Sequence, residues 1–502
     1  MAELCIRGGR VLLPDGLSDV DLRLEAGRIA AFDGVGGRVF DARGLLVLPG
    51  IVDIHGDAFE RQVQPRPGVD FPVDIALRDT EAQLLANGIT TAFHGITLSW
   101  EPGLRSLPAW QALLAALAGQ RWVCDMRVHL RWEAYNLAAS DTALADIAAG
   151  RVHLLAFNDH TPSILRKLAD PVAGAKYSER AAMTLADFSA LARRIEAGAA
   201  EVPAALERLA AAARAAGLPM ASHDDASIEA RTGFRAMGAR ICEFPMAEAV
   251  GIAARQAGDW VVMGSPNVVR GRSHLGWAEA ARLAEAGVCN ILSSDYFYPA
   301  MLRAAFIMAG RGVLDLAQAW ALVSANPAAA AGLADRGAIA PGLRGDLVLV
   351  AEEGGRPRLV ATIAQGRIAH LGAEGWERWQ ARDDRCRAGR RAHVDHRSTR
   401  RLPMNGSRVM ACLAAGPVLL LLGLSATFAQ TGAPATVRSV RGTVETLDGN
   451  VLTVRTPEGT DAKVTLASGW GVRAVVPSSL AAIKPGTFIG TATVGPENHM
   501  VA

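Results

Sequence analysis

Eight apolar, strand-like runs recur between residues 47 and 296, separated by Ala- and Leu-rich stretches, and this alternation restricts the chain to few architectures. The runs span 47–55, 88–96, 127–133, 152–160, 219–225, 240–245, 260–269 and 290–296. Strand–helix repeats of this kind build a parallel sheet that either closes into a barrel or stays open and doubly wound. No GxGxxG follows the first run, which argues against the open form. A barrel also explains why polar residues recur at the C-terminal ends of the runs, the face where barrel active sites gather. The expected fold class is α/β, a (β/α)8 TIM-like barrel over residues 49–335.

Strand-rich segments flank that block. Residues 1–48 hold short strands and turns, and 336–376 mirror them with Gly345-Asp346-Leu-Val-Leu-Val350 and Gly366-Arg-Ile-Ala-His-Leu371. Together they are expected to form one small β domain built from both ends of the catalytic unit. Beyond it, the Arg-rich stretch 377–403 reads as a linker. Met404-Asn-Gly-Ser-Arg408 then precedes the apolar run 409–428 and Ala429-Gln430, a pattern resembling a secretory signal or a membrane anchor in an internal position. Residues 436–502 alternate in short strands around Asp448-Gly449 and Glu458-Gly459, a second small β module. A fused separate reading frame is the simplest account of residues 404–502, with that part exported or membrane-anchored if it is retained.

At 502 residues, half of them hydrophobic, the chain exceeds one ordinary core. The formal net charge of +2 gives no global basic field, so nucleic acid is not expected as a partner and any anion site must be local. The six cysteines, Cys5, Cys124, Cys242, Cys289, Cys386 and Cys412, include no CxxC pair. That pattern suits reduced thiols and a cytoplasmic location for residues 1–380.

The chemistry gathers at the ends of the runs. The first ends in His55-Gly-Asp57, the fourth in Asn158-Asp159-His160, the fifth in Ser222-His223-Asp224-Asp225 and the eighth in Ser293-Ser294-Asp295. His55, Asp57, His160, His223 and Asp295 are expected to hold one or two divalent ions, with Zn²⁺, Mn²⁺ and Fe²⁺ all compatible with these donors. A pair of such ions lowers the pKa of a bridging water, and Asp295 then takes its proton, with His223 a further catalytic residue. Glu133 and Glu243 either complete a second metal site or orient a ligand. His94 and His129 fit better as hydrogen-bonded structural histidines. Arg61, Arg66, Arg270, Arg272 and His274 follow the first and seventh runs on the same face, and their clustering favours phosphate over surface ion pairs.

Leu48-Pro-Gly-Ile-Val-Asp-Ile-His-Gly-Asp57, with Pro65-Arg-Pro-Gly-Val-Asp-Phe-Pro72 after it, resembles the first-strand region of the PhnM family of the carbon–phosphorus lyase pathway, within the amidohydrolase superfamily. The resemblance continues through Val128-His-Leu-Arg-Trp-Glu133, Asp159-His-Thr-Pro162, Ala221-Ser-His-Asp-Asp-Ala226, Glu243-Phe-Pro245, Met263-Gly-Ser-Pro-Asn-Val-Val-Arg-Gly-Arg-Ser-His274 and Leu292-Ser-Ser-Asp-Tyr296, and covers about residues 1–372. It implies hydrolysis of α-D-ribose 1-methylphosphonate 5-triphosphate, or a related 1-alkylphosphonate, to the 5-phosphate and pyrophosphate, with Asp295 as general base. Asp57 stands where the superfamily usually has a second histidine. A homo-oligomer is compatible with this reading, and a membrane is a partner only if segment 409–428 is retained. Two rivals remain: a cyclic amidase or deaminase on the same barrel, which has no need of the arginines, and a catalytically silent, membrane-anchored binding protein.

Overall fold

Short N-terminal strands divide between two sheets in the computed structural model, which describes residues 3–34, 36–66, 68–271, 279–379, 443–449, 451–455 and 460–465. The chain forms two units, Met1–Arg400 and Arg401–Ala502. In the first, β1 (Leu4–Arg7), β2 (Arg10–Leu13), β3 (Gly16–Asp19), β4 (Leu22–Glu25), β5 (Arg28–Ala31) and β6 (Arg38–Asp41) precede β7 (Leu46–Pro49). Four of them make a sheet in the order β5-β4-β1-β6. Alternation along β4 buries Leu22 and Leu24 while Arg23 and Glu25 point outward, as one-sided packing requires.

Eight parallel strands follow: β8 (Ile51–Gly56), β9 (Ile89–Leu98), β10 (Asp125–Glu133), β11 (Leu154–Asn158), β12 (Met220–His223), β13 (Ile241–Glu243), β14 (Trp260–Gly264) and β15 (Ile291–Ser293). Each pairs with the next in sequence order. The ring closes where Asp295 N donates to His55 O at 3.0 Å and Asp57 N donates to Asp295 O at 2.9 Å. Every residue of β9 is buried, as expected of a strand covered on both faces.

All eight expected strands are present, most with ends displaced by one to three residues and two with larger changes. The run 47–55 divides at Gly50, so that β7 joins a terminal sheet and only β8 enters the barrel. The run 260–269 is strand only to Gly264; Ser265–Arg270 is helical, with Pro266 in its first turn. A short apolar run cannot by itself distinguish strand from buried helix, and proline at a helix start decides the matter here.

After the barrel, β16 (Leu347–Glu353), β17 (Arg356–Ala364) and β18 (Arg367–Leu371) complete a six-stranded sheet ordered β18-β17-β16-β7-β2-β3. Strands from both ends of the unit thus share one sheet. Trp320 joins barrel and sheet: it is fully buried, lies edge-on to Phe306, and donates Nε1 to Pro49 O at 3.0 Å. Trp320→Ala is predicted to cost about 3–5 kcal/mol of stability through cavity formation. Urea unfolding monitored by circular dichroism checks this, and an unchanged midpoint would refute it.

In the second unit β19 (Thr443–Asp448), β20 (Val451–Arg455) and β21 (Asp461–Thr465) form an antiparallel meander turning at Asp448-Gly449. Linker residues 380–403, the apolar segment 404–430 and the turn Glu458-Gly459 lie outside the described residues. No described helix is long and apolar enough to cross a membrane.

Candidate metal centre

Three barrel strands end in a backbone conformation that side chains other than glycine seldom adopt. Asp224, Phe244 and Asp295, just beyond β12, β13 and β15, have φ of 56°, 51° and 55°. Such residues cost roughly 1–3 kcal/mol each and persist where the surroundings over-determine them, typically at functional sites. Here the turns direct side chains across the barrel mouth. On β10 the period-two alternation places His129, Arg131 and Glu133 on one face.

Two groups of donors converge there. His55, His223 and Glu243 form one, and His160, His223 and Asp224 form the other, with the donor atoms of each group within 4.8 Å of one another. His55 Nδ1 lies 3.0 Å from Glu243 Oε2, yet neither atom has a hydrogen-bond partner. Glu243 Oε1, His129 Nε2 and His223 Nδ1 are likewise buried without one. Short separation without hydrogen-bond alignment leaves His55 Nδ1 and Glu243 Oε2 able to face a shared ligand rather than each other. Unsatisfied buried polar atoms are rare in folded proteins, so this concentration fits a divalent cation, which would satisfy several at once.

The electrostatics agree. Burial, reinforced by Arg131 and His223, holds the His55 imidazole well below its ordinary range, and burial takes His129 down to about 3, so both rings are neutral and offer lone pairs. For His160 burial acts downward, but hydrogen bonds with Asp224 and Glu133 outweigh it and raise the group to about 9. Asp224 shows the reciprocal effect: burial opposes ionisation, while His223 and His160 hold its carboxyl far below the usual range. An ion at this second group would therefore have to displace the His160 proton. Burial, then repulsion from Asp57, raises Asp295 to about 7.

The remaining expected residues have different surroundings. Glu133 accepts from His160 N at 2.8 Å and Thr161 N at 3.2 Å, and lies 3.1 Å from His160 Nδ1, so it supports His160 and belongs to neither donor group. Asp57 pairs with Arg131 at 3.2 Å. Asp295 sits on the closing seam, bonded through its backbone to His55 and Asp57. Arg61 donates to Tyr296 O and Arg270 Nη1 donates to Tyr296 Oη at 3.4 Å, which brings two expected phosphate-binding groups to the residue after Asp295. Arg66 is exposed in the loop, bridged through its backbone to Val69. Arg272 and His274 lie outside the described residues.

Sequence reasoning left three participants without roles. Asp224 directly follows His223, but only its left-handed turn brings it to His160. Arg131 shares the alternation of His129 and Glu133, a signal present in the sequence. Asp53 is fully buried and accepts from Ser294 N at 3.1 Å and His55 N at 3.3 Å, joining the two strands of the seam. Burial raises it to about 6. Gly56 is needed beside it, because a Cβ there would come within 2.8 Å of Asp53 Oδ2.

Comparison with known proteins agrees with the barrel fold. The amidohydrolase family model matches residues 46–370. Alpha-D-ribose 1-methylphosphonate 5-triphosphate diphosphatase of Escherichia coli K12 is 32% identical over 358 residues, covering 69% of this chain and 94% of that protein. Among solved structures, beta-aspartyl dipeptidase of Fervidobacterium islandicum AW-1 superposes with a TM-score of 0.51 at 16% identity, over 74% of this chain and 97% of that one. Molinate hydrolase does so with a TM-score of 0.51 at 15% identity, over 73% and 94%. These two share the barrel fold. With matching fold, family model and relative, the chain belongs to the amidohydrolase family and, within it, to the PhnM family.

Proposed function

We propose that this protein hydrolyses α-D-ribose 1-methylphosphonate 5-triphosphate, or a close 1-alkylphosphonate, to the 5-phosphate and pyrophosphate. The observation that carries the reading is a buried donor cluster beside two arginines, Arg61 and Arg270, that meet at Tyr296 next to Asp295. An amide substrate would have no use for those cations, whereas a triphosphate does. The named activity of the Escherichia coli relative supplies the substrate.

His55, His223 and Glu243 would hold one divalent ion, and His160 and Asp224 with His223 offer a second place. Bound there, Zn²⁺, Mn²⁺ or Fe²⁺ would supply Lewis acidity and bring a water into its reactive range near neutral pH. Water oxygen attacks the phosphorus attached to the ribose 5-oxygen. The bond from that phosphorus to the bridging oxygen breaks, and pyrophosphate leaves with the electron pair. Asp295 accepts the water's proton, a task suited to a carboxylate raised to about 7. Arg61, Arg66 and Arg270, with Arg272 and His274, bind the outgoing phosphates.

The catalytic unit is assigned to the cytoplasm, in keeping with the free thiols of Cys5, Cys124, Cys242 and Cys289. Residues from Met404 onward are assigned to a separate reading frame.

Phosphorus-31 NMR of the metal-loaded protein with the ribose triphosphate tests the reaction. Pyrophosphate and the 5-phosphate are expected; unchanged triphosphate with metal-bound protein would reject the proposal. Glu133→Gln is predicted to weaken metal affinity or activity about 10–100-fold, because it disturbs the support of His160. Competition with a fluorescent chelator measures the affinity, and wild-type values for both quantities would remove Glu133 from the site.

A further inference from the structure

Arg131 is a guanidinium buried within the barrel mouth. Its Nη1 donates to Asp57 Oδ2 at 3.2 Å, its Nη2 lies 3.1 Å from His223 Nε2, and its Nε is buried without a partner. Room for it depends on Gly95 of β9, where a Cβ would stand 3.2 Å from Arg131 Cδ and 3.8 Å from His55 Nε2. No other described arginine hydrogen-bonds a member of either donor group. Arg61 and Arg270 are exposed and held at Tyr296, in place for phosphates further from the reacting centre.

A guanidinium has only donors, so Nε2 of His223 must be the acceptor, and the ring proton lies on Nδ1, which faces Asp224 Oδ1 at 3.3 Å. Both donor groups include His223. An ion taking Nε2 would deprive Nη2 of its acceptor. An ion taking Nδ1 would draw electron density from the ring and weaken that acceptor. Either way metal loading leaves Arg131 short of partners, with a second cation nearby and Nε already unpaired. A phosphoryl oxygen pair matches the vacated fork and neutralises both cations, whereas a neutral amide carbonyl does neither.

We infer that Arg131 contacts the phosphoryl group under attack and couples it to the metal, so that ion and phosphoryl anion each strengthen the binding of the other. The inference rests on the diphosphatase reading and adds to it a specific residue and a thermodynamic linkage. Such coupling is reciprocal, so it is measurable from the anion side alone.

Ribose 5-phosphate, a weak chelator, is the probe, titrated calorimetrically into metal-loaded and metal-free full-length protein. Wild type should bind it about ten-fold or more tightly when metal-loaded. Arg131→Met should lower that ratio at least several-fold while ribose 5-phosphate affinity of the metal-free form changes little. Arg131→Lys retains charge without the fork and covers the case in which the methionine variant does not fold; its ratio should fall between the two. A wild-type ratio in both folded variants, or in Arg131→Lys alone if the other is unfolded, overturns the inference. Pyrophosphate release by wild type in the NMR assay separates the failures. Release without metal–phosphate coupling rejects only the role of Arg131, and absence of both release and coupling rejects the diphosphatase reading with it.

Discussion

Replacing His223 with alanine is expected to lower kcat/KM by roughly 10³-fold or more, since an ion's stabilisation of transition-state charge amounts to several kcal/mol. His223 is the one residue shared by both donor groups. Its loss removes a ligand wherever the ion sits, and also takes the acceptor from Arg131 and a partner from Asp224. Steady-state pyrophosphate release together with metal content by mass spectrometry checks the prediction. A variant with wild-type rate and wild-type metal content would show that neither group is the metal centre.

Asp295→Asn is predicted to reduce kcat by about 10²–10⁴-fold, the usual contribution of a positioned general base. Asparagine has nearly the same shape, tolerates a left-handed backbone well, and leaves the seam bonds to His55 and Asp57 intact because these use backbone atoms. Stability should therefore change much less than rate. The pH dependence has a definite sign. Asp295 works as a base only when ionised, so wild-type activity should rise with pH through the ionisation of a group raised to about 7, and a bound cation moves that limb to lower pH. In the asparagine variant the acidic limb should disappear. If the limb survives unchanged, or kcat falls less than ten-fold, another group takes the proton.

Much of the barrel was legible because its signals are local. Apolar runs such as 88–96 and 127–133, separated by helical stretches, reappear as β9 and β10 with ends displaced by a few residues. Less legible were places where one apolar run serves two structures. Residues 47–55 read as one strand, but the chain crosses from the terminal sheet to the barrel at Gly50, whose N–H donates to Asp346 O almost three hundred positions away. Val268 and Val269 read equally well as strand, and the helix beginning at Ser265 claims them.

The site divides in the same way. His55, His160, His223 and Glu243 were recognisable as candidate donors because imidazoles and carboxylates at strand ends have few other uses, and the structure brings them into two groups that could hold an ion. Asp224 was not assigned, since its approach to His160 depends on a positive φ that residue type does not announce. For Glu133 the sequence left open a place at a metal or the orientation of a ligand, and its contacts with His160 and the start of the helix Thr161–Leu168 favour the second.

By itself, then, the sequence determined the fold class and pointed to His55, His160, His223 and Glu243 as candidate donors, because periodicity, proline and glycine placement and residue chemistry act over a few neighbouring positions. Only the tertiary structure decided which donors lie close together, that Arg131 stands among them, and that Asp53 meets Ser294, and Asp295 meets His55, across the seam. Those relations depend on strand register and on closure between β8 and β15, which join residues such as Asp57 and Arg131, 74 positions apart, and Asp53 and Ser294, 241 apart, and have no local signature.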